Sequence, residues 1–572
     1  MNISAYAPAP EAHDPAAARA RLLSLRTLAL CALSGALGAA AFPLAFPFTA
    51  GREILPGGVL EPLAFVCLVP ALIATEGLSF GKSFWVGTLA GMAFFNGSFW
   101  WVNVAMTTFG GMPYSLAIPC LELLVGWCAV HWGLAFATTR FLQARHGWPA
   151  AWVFAPVWMA SELLRNYFCS GFPWANLGYS QMRNLWLSQL GSLGGVYGVA
   201  LLVAFVNAAL YEAWCWRVRK DRPRPRALLA VAGSALLLGH LYGALRVAAL
   251  SEEIDGAPRA QVAVVQGNID QKLKNAQGGH ARMVMDAYNP PTIAADASGA
   301  DLIVWPEAAY PRAFPLWMRE IPPGGLARPR YGAHLLLGVD RFDPEQPRVG
   351  ENSAFLLDPS LRVTALYTKH HLVPFGEYIP LDLQKYLPID NLVPGTFRPG
   401  DRLVSMRFPA RSLGGREVSV APQICFDAIF PEISRAYARD GADLLVNLTN
   451  DAWYGLSSAP YQFLRMVAMR AVETGRPVAR AANTGISGFI DPLGRISQAT
   501  PLGIVQSDHN VVDARFKAPP EWRTAGVPLL SGRTPYVVLG DLPSYLASAF
   551  ALGGLALGVW KRRRERTIKR RT

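Results

Sequence analysis

The stretch VSVAPQICFDAIFP, Val418–Pro431, decides how the rest of this chain is interpreted. It begins as a short apolar run with β-branched residues, which predicts a buried strand. The run ends at Cys425, so a thiol follows a strand directly, where a loop can present it to a substrate. A lone cysteine is more often a small buried hydrophobe than a nucleophile. The residues that accompany Cys425 must therefore decide between the two interpretations.

Cys425 differs from the other cysteines in its surroundings. It is the only cysteine in the long hydrophilic part of the sequence. The other six lie in or beside apolar segments of the first half: Cys31, Cys67, Cys120, Cys128, Cys169 and Cys215. Their spacing matches neither a disulfide framework nor a CxxC zinc pattern.

The composition is that of a membrane protein with a soluble insert. Of the 572 residues, 52% are hydrophobic and 16% are charged, against roughly a quarter charged in soluble proteins. The apolar residues are concentrated in the first 250 positions and in a short stretch near the end.

Eight apolar segments come close to the roughly 20 residues that an α-helix needs to cross a bilayer. They lie at residues 25–46, 60–75, 84–106, 115–138, 149–164, 186–214, 227–250 and 545–560. With eight spans, all the basic clusters fall on one side, which the positive-inside rule makes the cytoplasm. We therefore expect a cytoplasmic segment at 1–24, seven helices within 25–250, an eighth helix at 545–560 and a basic cytoplasmic tail at 561–572. The part between the seventh and eighth helices then lies outside the cytoplasm.

The net charge of +13 does not indicate a nucleic-acid partner. Much of the excess lies in the tail KRRRERTIKRRT (561–572) and in the loop RVRKDRPRPR (217–226), both of which flank apolar segments. Basic clusters at such places are topology signals and contacts for anionic lipids. The sequence contains no nucleic-acid motif that we recognise.

After the seventh apolar segment the sequence changes to apolar runs of strand length that alternate with polar stretches. Predicted strands lie at 261–267, 302–305, 334–339, 354–357, 418–424 and 444–448, and a predicted helix lies at 461–474. This alternation predicts an α/β domain. The segment 516–544 is rich in proline and glycine, and we interpret it as a linker into the last span.

Three strand ends carry reactive groups. Glu307 follows one predicted strand and Cys425 follows another. The third segment, YTKHHLVPFGEYIP (367–380), carries Lys369, His370, His371 and Glu377. Thiol chemistry needs a nearby base, a role open to Glu307. Acyl transfer also passes through an oxyanion, which a fixed positive charge such as Lys369 stabilises.

Other interpretations of these residues stay open at this level. A single Glu or Lys is usually a surface charge. His370 and His371 allow a Cys–His pair with Cys425, or a metal site together with Glu377. Adjacent histidines point in opposite directions on a strand, which disfavours a shared metal ion.

Two features of the membrane part also have alternative interpretations. Glu162 lies in or beside the fifth span, where a carboxylate is a candidate functional group. It can equally cap the helix or pair with Arg165. The aromatic, glycine-rich segment GFPWANLGYSQ (171–181) follows. It can anchor the chain at the membrane interface or form the floor of a lipid site.

Several motifs in a fixed order give the sequence a specific resemblance. WPE at 305–307, KxHLVPFGEYxP at 369–380 and QxCFD at 423–427 resemble the Glu-Lys-Cys motifs of the nitrilase superfamily. Seven spans before this domain and one after it resemble the apolipoprotein N-acyltransferases of the bacterial inner membrane. Five further segments agree with that family: GFPWANLGYSQ (171–181), VVQGNIDQ (264–271), NLTNDAWYG (447–455), RAANTGISGFIDPLG (480–494) and GRTPY (532–536).

The resemblance implies a multi-pass α-helical membrane protein with a nitrilase-like α-β-β-α sandwich at 257–515, on the periplasmic side. It implies an enzyme that takes an acyl chain from a phospholipid and holds it as a cysteine thioester. The chain then passes to the α-amine of a diacylglyceryl-cysteine lipoprotein. No metal or other cofactor is implied, and the absence of a visible coiled coil favours a monomer. The rival interpretations are a membrane-bound amidase or hydrolase with water as acceptor, and a non-enzymatic scaffold or transporter.

The resemblance also assigns roles to single residues. It implies that Glu307 is the general base, that Lys369 stabilises the tetrahedral intermediate and that Cys425 is the nucleophile. Glu377 matches a second family glutamate near the active site. Two positions depart from the family pattern: Asp427 stands where Glu is frequent, and Asn275 stands where Trp is frequent.

Overall fold

The computed structural model describes residues 24–49, 52–54, 59–219, 224–270, 280–322, 325–328, 330–380, 396–502 and 519–569. Within these residues the first half and the last helix form a helical bundle, and the remainder forms an α/β domain. The departure at Asn275 and nearly all of the predicted segment 1–24 lie outside the described residues.

The α-helices of at least five residues in the described part are numbered in chain order. They are α1 (Leu25–Ala40), α2 (Val69–Ala74), α3 (Phe80–Phe99), α4 (Tyr114–His146), α5 (Ala150–Tyr167), α6 (Gly191–Arg219), α7 (Arg226–Gly256), α8 (His280–Ala297), α9 (Pro431–Arg439), α10 (Ala459–Thr474), α11 (Pro535–Leu539) and α12 (Leu542–Lys569).

Helical segments lie at all eight places where a span is predicted, but their lengths differ. Four helices in the described residues are long and apolar enough to cross a membrane: Tyr114–His146, Gly191–Val218, Arg226–Gly256 and Leu542–Ile568. The second predicted span is interrupted, because a 3-10 turn at Glu61–Phe65 precedes the six-residue α2. By length and composition, these four helices of the described residues are therefore candidates to cross a membrane.

Fourteen strands in the described residues form two sheets. They are β1 (Arg259–Gln266), β2 (Leu302–Val304), β3 (Phe314–Pro315), β4 (His334–Asp343), β5 (Gln346–Leu357), β6 (Val363–Thr368), β7 (Thr396–Phe397), β8 (Met406–Ala410), β9 (Arg416–Ile424), β10 (Leu444–Thr449), β11 (Val478–Ala482), β12 (Gly488–Ile490), β13 (Ile496–Ser497) and β14 (Glu521–Pro528). The first sheet has the order β14-β1-β2-β4-β5-β6, with β3 beside β4 and β7 beside β5. The second has the order β13-β12-β11-β10-β9-β8.

Alternate residues of β1 show how the sheets and helices are layered. Val262 and Val264 are buried in the same core as the strands of the second sheet. Ala263 and Val265 are buried instead with Tyr288 of α8. Because side chains alternate across a strand, one face of the first sheet packs on the second sheet and the other packs on a helix. With α9 and α10 beside the second sheet, the domain has the expected α-β-β-α layers.

The segment predicted to be a linker contains regular structure. Glu521–Pro528 forms β14, which pairs antiparallel with β1 along all eight of its residues. The linker interpretation is wrong for these residues, because glycine and proline are tolerated in an edge strand. Gly526 lies within β14, and Pro528 is its last residue. The α/β domain therefore extends beyond the predicted boundary at residue 515.

α10 joins the two parts of the molecule. All but two of its 16 residues are buried, because it packs on the second sheet and also on α6. α6 is interrupted at Gly194 and Gly195, and Gly195 has a φ of +64°. Beyond the interruption, the N–H of Val196 donates to Glu473 Oε1 of α10 at 2.8 Å. One hydrophobic core consequently runs from the membrane helices into the sheet sandwich.

Candidate active site

The end of β9 places Cys425 in a sharp turn. Cys425 has a φ of +47° and is the first residue of the five-residue 3-10 helix Cys425–Ile429. A positive φ is uncommon for a residue with a Cβ and costs of order 1–3 kcal/mol. Because of this turn, the Cys425 side chain does not follow the alternation of side chains along β9. Cys425 lies at the carboxyl end of the strand and is 7% exposed.

Lys369 lies between two carboxylates close to this turn. Its Nζ donates to Glu377 Oε1 at 2.7 Å and to Glu307 Oε1 at 3.2 Å. Asn352 Nδ2 donates to the same Glu307 oxygen at 2.7 Å, and the Asn450 N–H donates to the other oxygen at 3.0 Å. Lys369 is 1% exposed and Glu307 is 7% exposed. The two form part of a buried, hydrogen-bonded network of charges.

The predicted residues reach this place from the ends of strands. Glu307 lies three residues after β2, Lys369 directly follows β6, and Cys425 directly follows β9. β2 and β6 belong to the first sheet and β9 to the second. The site therefore forms where the two sheets meet at one edge. The structure brings all three residues together, and their catalytic roles stay a prediction.

The charges around the thiol set its protonation state. Burial, and then the charge of Glu307, raise the pKa of the Cys425 thiol far above its ordinary value, although Lys369 lowers it. The thiol is therefore protonated at neutral pH and needs a base before it can attack. Burial alone would lower the pKa of Lys369, but Glu307 and Glu377 outweigh burial and raise that pKa well above its ordinary value. Lys369 accordingly stays a cation beside the thiol.

Asp427 connects the turn after β9 to the segment after β6. Its Oδ2 accepts hydrogen bonds from Tyr367 OH at 2.8 Å and from the Ile424 N–H at 3.0 Å. Its Oδ1 accepts from the His371 N–H at 2.8 Å. Burial raises the pKa of Asp427 to about 6, while Lys369 and these donors lower it. These contacts place Asp427 as a brace between two segments of the site.

The two adjacent histidines contact groups other than the thiol. His370 Nδ1 lies 3.0 Å from Gly400 O, and the His371 ring stacks on Phe430 with centroids 3.7 Å apart. Burial lowers the pKa of His371 to about 4, so this ring is neutral at pH 7. In the hydrogen bonds of the described residues, neither ring reaches Cys425. The residues that the structure describes include no group of three His, Cys, Asp or Glu residues that is placed to bind a metal ion.

The aromatic segment 171–181 lies directly beside the turn. Phe172 stacks on Phe426, the neighbour of Cys425, with ring centroids 6.0 Å apart. Trp174 packs edge-on against Tyr454, with centroids 6.3 Å apart. The segment therefore lines the place where Cys425 lies, and its role as the floor of a lipid site stays a prediction.

Two residues of α5 hold that aromatic segment in place. Glu162 Oε1 accepts a hydrogen bond from the Leu177 N–H at 2.7 Å. Arg165 Nη1 donates to Phe172 O at 2.9 Å and to Trp174 O at 2.7 Å. Both charged residues are buried. The contacts of Glu162 fix the backbone of the segment, which is a structural role different from the helix cap or the pairing with Arg165 that the sequence suggested.

Sequence reasoning missed the two asparagines that bind Glu307. Asn352 lies in β5, in a run that otherwise becomes apolar, ENSAFLL. A buried amide within such a run was an available signal, because buried polar groups need partners. Asn450 contributes a backbone N–H, which leaves no trace in the residue type. Its contact with Glu307 depends on how the ends of the two sheets meet, which residue types do not indicate.

Two family models match the chain. Residues 34–209 match the model described as the apolipoprotein N-acyltransferase N-terminal domain, and residues 261–506 match the model described as carbon-nitrogen hydrolase. The fold and the site therefore define a class: a membrane-embedded enzyme with a nitrilase-like domain.

Relatives over most of the length identify the family within that class. An apolipoprotein N-acyltransferase from Geobacter metallireducens is 36% identical over 485 residues, which cover 83% of this chain and 87% of the relative. One from Pseudomonas putida is 33% identical over 451 residues, which cover 77% and 84%. This chain belongs to the apolipoprotein N-acyltransferase family, as its motifs led us to expect.

Solved structures match about half of the chain. An amidase of the nitrilase superfamily from Nesterenkonia sp. is 20% identical, with a TM-score of 0.34, and the match covers 50% of this chain and 97% of that one. A member of the nitrilase superfamily from Saccharomyces cerevisiae is 15% identical, with a TM-score of 0.33, and the match covers 47% and 90%.

Proposed function

We propose that this protein transfers a fatty acyl chain from a membrane phospholipid to the α-amine of a diacylglyceryl-cysteine lipoprotein, with Cys425 carrying the chain as a thioester. Family membership supports the reaction. The observation that carries the residue assignment is the cluster at one sheet edge. There the charges of Glu307 and Lys369 act on the Cys425 thiol and are paired with each other at 3.2 Å. The reaction then consists of two half-reactions at one sulfur.

In the first half-reaction, Glu307 removes the thiol proton of Cys425, and the sulfur attacks the carbonyl carbon of a phospholipid ester. The resulting tetrahedral intermediate carries a negative charge on oxygen, which Lys369 stabilises. When the ester C–O bond breaks, Glu307 returns the proton to the departing glycerol oxygen. The products are a thioester on Cys425 and a lysophospholipid.

In the second half-reaction, the neutral α-amine of the lipoprotein attacks the thioester carbonyl, and Glu307 accepts a proton from the amine. The C–S bond breaks, and that proton passes to the sulfur of Cys425. Transfer competes with hydrolysis, so exclusion of water favours the amine. The low exposure of Cys425 and the adjacent aromatic segment 171–181 support such exclusion.

Glu377 has a supporting role in this proposal. Glu307 becomes neutral whenever it holds a proton, and Lys369 then loses one of its two anionic partners. Glu377 keeps its contact with Lys369 at 2.7 Å, and the Val373 N–H fixes its other oxygen at 2.8 Å. The cation therefore stays in position while charge moves elsewhere in the site.

We further propose eight membrane spans, with the α/β domain on the periplasmic side of the bacterial inner membrane. The loop after α1 contacts that domain, because the Ala45 N–H donates to Ser458 Oγ at 3.0 Å. At the other end of the bundle, Arg145 lies near the end of α4. Its Nη1 is 3.4 Å from Glu565 Oε2 of α12. This placement of loops and basic ends supports an even number of spans. A monomer that meets both lipid substrates within one membrane suffices for the reaction.

A transfer assay with the full-length protein in detergent tests the proposal. The donor is a phospholipid with a radiolabelled acyl chain, and the acceptor is a synthetic diacylglyceryl-cysteine peptide. We expect label on the peptide amine, together with lysophospholipid, and neither product with Cys425→Ala. Release of labelled free fatty acid without transfer would indicate a hydrolase. Full transfer by Cys425→Ala would contradict the thioester route.

A further inference from the structure

A second strand end lies beside the thiol. β10 runs parallel to β9, and Leu448 pairs with Ile424 in the register of the two strands. The next residue on each strand is Thr449 on β10 and Cys425 after β9, so these two stand side by side at the sheet edge. Thr449 is fully buried, although its hydroxyl is polar and needs a partner.

A buried ion pair holds the Thr449 hydroxyl. Thr449 Oγ1 donates to Asp451 Oδ1 at 2.9 Å, and Asp451 Oδ2 accepts from Arg480 Nη2 at 2.7 Å. Both members of the ion pair are fully buried. Gly485 packs against it: a Cβ at that position would come within 2.3 Å of Asp451 Oδ2. The pair is therefore tightly confined.

The same hydroxyl neighbours the thiol, because the register of β9 and β10 places Thr449 next to Cys425. Burial, Glu307 and Asp451 raise the pKa of Cys425, whereas Lys369 and a hydrogen bond with the Thr449 side chain lower it. A threonine hydroxyl carries one proton and cannot donate to two acceptors at once. While Cys425 is a thiol, the hydroxyl can donate to Asp451. When Cys425 becomes a thiolate, its sulfur needs a hydrogen-bond donor, whereas Asp451 still accepts from Arg480.

We propose that Thr449 is a further catalytic residue, whose hydroxyl turns from Asp451 to the Cys425 sulfur when Glu307 takes the thiol proton. The hydroxyl proton stays on Oγ1 throughout, so the step changes a hydrogen bond and no covalent bond. The contact stabilises the thiolate before it attacks, and again when the sulfur leaves the thioester. Arg480 keeps Asp451 paired during the turn.

The residues after Thr449 extend this arrangement to the base. The Asn450 N–H donates to Glu307 Oε2 at 3.0 Å. The end of β10 therefore contacts the base through one residue and the thiol through the residue before it. Such a connection keeps the two reacting groups in register with each other. This inference rests on the proposed role of Cys425 as the nucleophile.

The test compares Thr449→Val, which keeps the shape and removes the hydroxyl, with Thr449→Ser, which keeps the hydroxyl. A hydrogen bond to a charged group is stronger than one between neutral groups. We therefore expect Thr449→Val to slow thioester formation about 10- to 100-fold and Thr449→Ser to stay near wild type. The second readout is the pH dependence of Cys425 alkylation by iodoacetamide in detergent, followed by peptide mass spectrometry. It should move to higher pH in Thr449→Val only.

Cys169 is an exposed free cysteine of the same chain, so its alkylation in the same samples is the internal control. Unchanged thioester formation in Thr449→Val would overturn the inference, and so would an equal defect in Thr449→Ser. If Thr449→Val does not fold by its melting curve, Thr449→Ala replaces it with the same expectation. Acyl transfer by Cys425→Ala would contradict the proposed function instead. The failure of that function and the failure of the inference about Thr449 are therefore distinguishable.

Discussion

Two buried ion-pair clusters of this protein each combine a basic side chain with glutamate, but they have different roles. In one, Lys369 lies between the carboxylates of Glu307 and Glu377. In the other, Arg470 Nε lies 3.0 Å from Glu473 Oε2, and both side chains are fully buried. The second cluster lies where α10 of the α/β domain packs against α6 of the membrane bundle.

The difference between the clusters lies in their neighbours. Glu473 binds the Val196 N–H of α6, and its partner Arg470 donates to Tyr179 OH at 3.0 Å. A guanidinium does not release its proton in proteins, although burial raises the pKa of its partner Glu473 to about 7. The contacts of this cluster join α10 to α6 and to Tyr179. The lysine cluster faces the Cys425 thiol. A buried ion pair therefore predicts a reactive site only when a nucleophilic group such as this thiol lies within its reach.

Matched substitutions to glutamine in the two clusters test this comparison. Glu307→Gln keeps the size of the side chain but removes the base, so we expect acyl transfer to fall about 100- to 10,000-fold. Its melting temperature should stay near that of wild type, because Lys369 keeps its contact with Glu377. The measurement is single-turnover lysophospholipid release. A rate of lysophospholipid release close to that of wild type would show that Glu307 is not the base.

Lys369→Met addresses the charge next to the thiol. The positive charge stabilises the tetrahedral intermediate, and loss of one oxyanion donor typically slows acyl transfer about 100- to 1,000-fold. We expect a loss of this size in both half-reactions. Lysophospholipid release reports the first, and transfer from preformed thioester to peptide reports the second. Lys369→Arg is the control that keeps the charge, and a defect confined to one half-reaction would contradict this role.

The end points of strands could be predicted, because an apolar run that stops at a polar residue marks where a strand leaves the core. Cys425 and Glu307 were located in this way. The contacts between strands could not be predicted, because sequence distance hides them: Asp427 meets Tyr367 across 60 positions. β14 was missed because an edge strand carries glycine and proline. The interruption of the second predicted span was missed, because apolar composition does not distinguish the 3-10 helix Glu61–Phe65 from a continuous α-helix.

The arginine cluster should respond to substitution in the opposite way. Burial raises the pKa of Glu473 to about 7, so the measurement is made at pH 8, where the carboxyl is ionised. There Glu473→Gln leaves Arg470 without its buried anionic partner, and such changes typically cost about 3–5 kcal/mol of stability. We expect a lower melting temperature in detergent and a transfer rate per folded molecule close to wild type. Replacing both residues by Leu should recover much of the stability. A large loss of rate in fully folded Glu473→Gln would show that this cluster also belongs to the chemistry.

Asp427→Asn tests the brace between the two site segments through pH. Burial raises the pKa of Asp427 from 3.8 to about 6, so the folded state binds this proton more tightly than the unfolded state. The buried carboxylate carries no penalty below about pH 4, and the penalty grows as the pH rises through 6. Its full size is about 3 kcal/mol.

The free energy of unfolding of wild type, relative to Asp427→Asn, should therefore fall between about pH 4 and pH 6 and stay level above. Melting curves of both proteins across this range provide the measurement. A difference that does not change with pH would show that Asp427 is ionised in the folded protein over the whole range.

The central claim is that one sulfur carries the acyl chain, and intact-mass measurement tests it most directly. The full-length protein is incubated with phospholipid in detergent, without acceptor, and weighed before and after neutral hydroxylamine. We predict an added mass of one fatty acyl chain that hydroxylamine removes and that Cys425→Ala never shows. An adduct that persists in Cys425→Ala would contradict the account. So would lipoprotein acylation by a wild-type protein that never acquires the adduct.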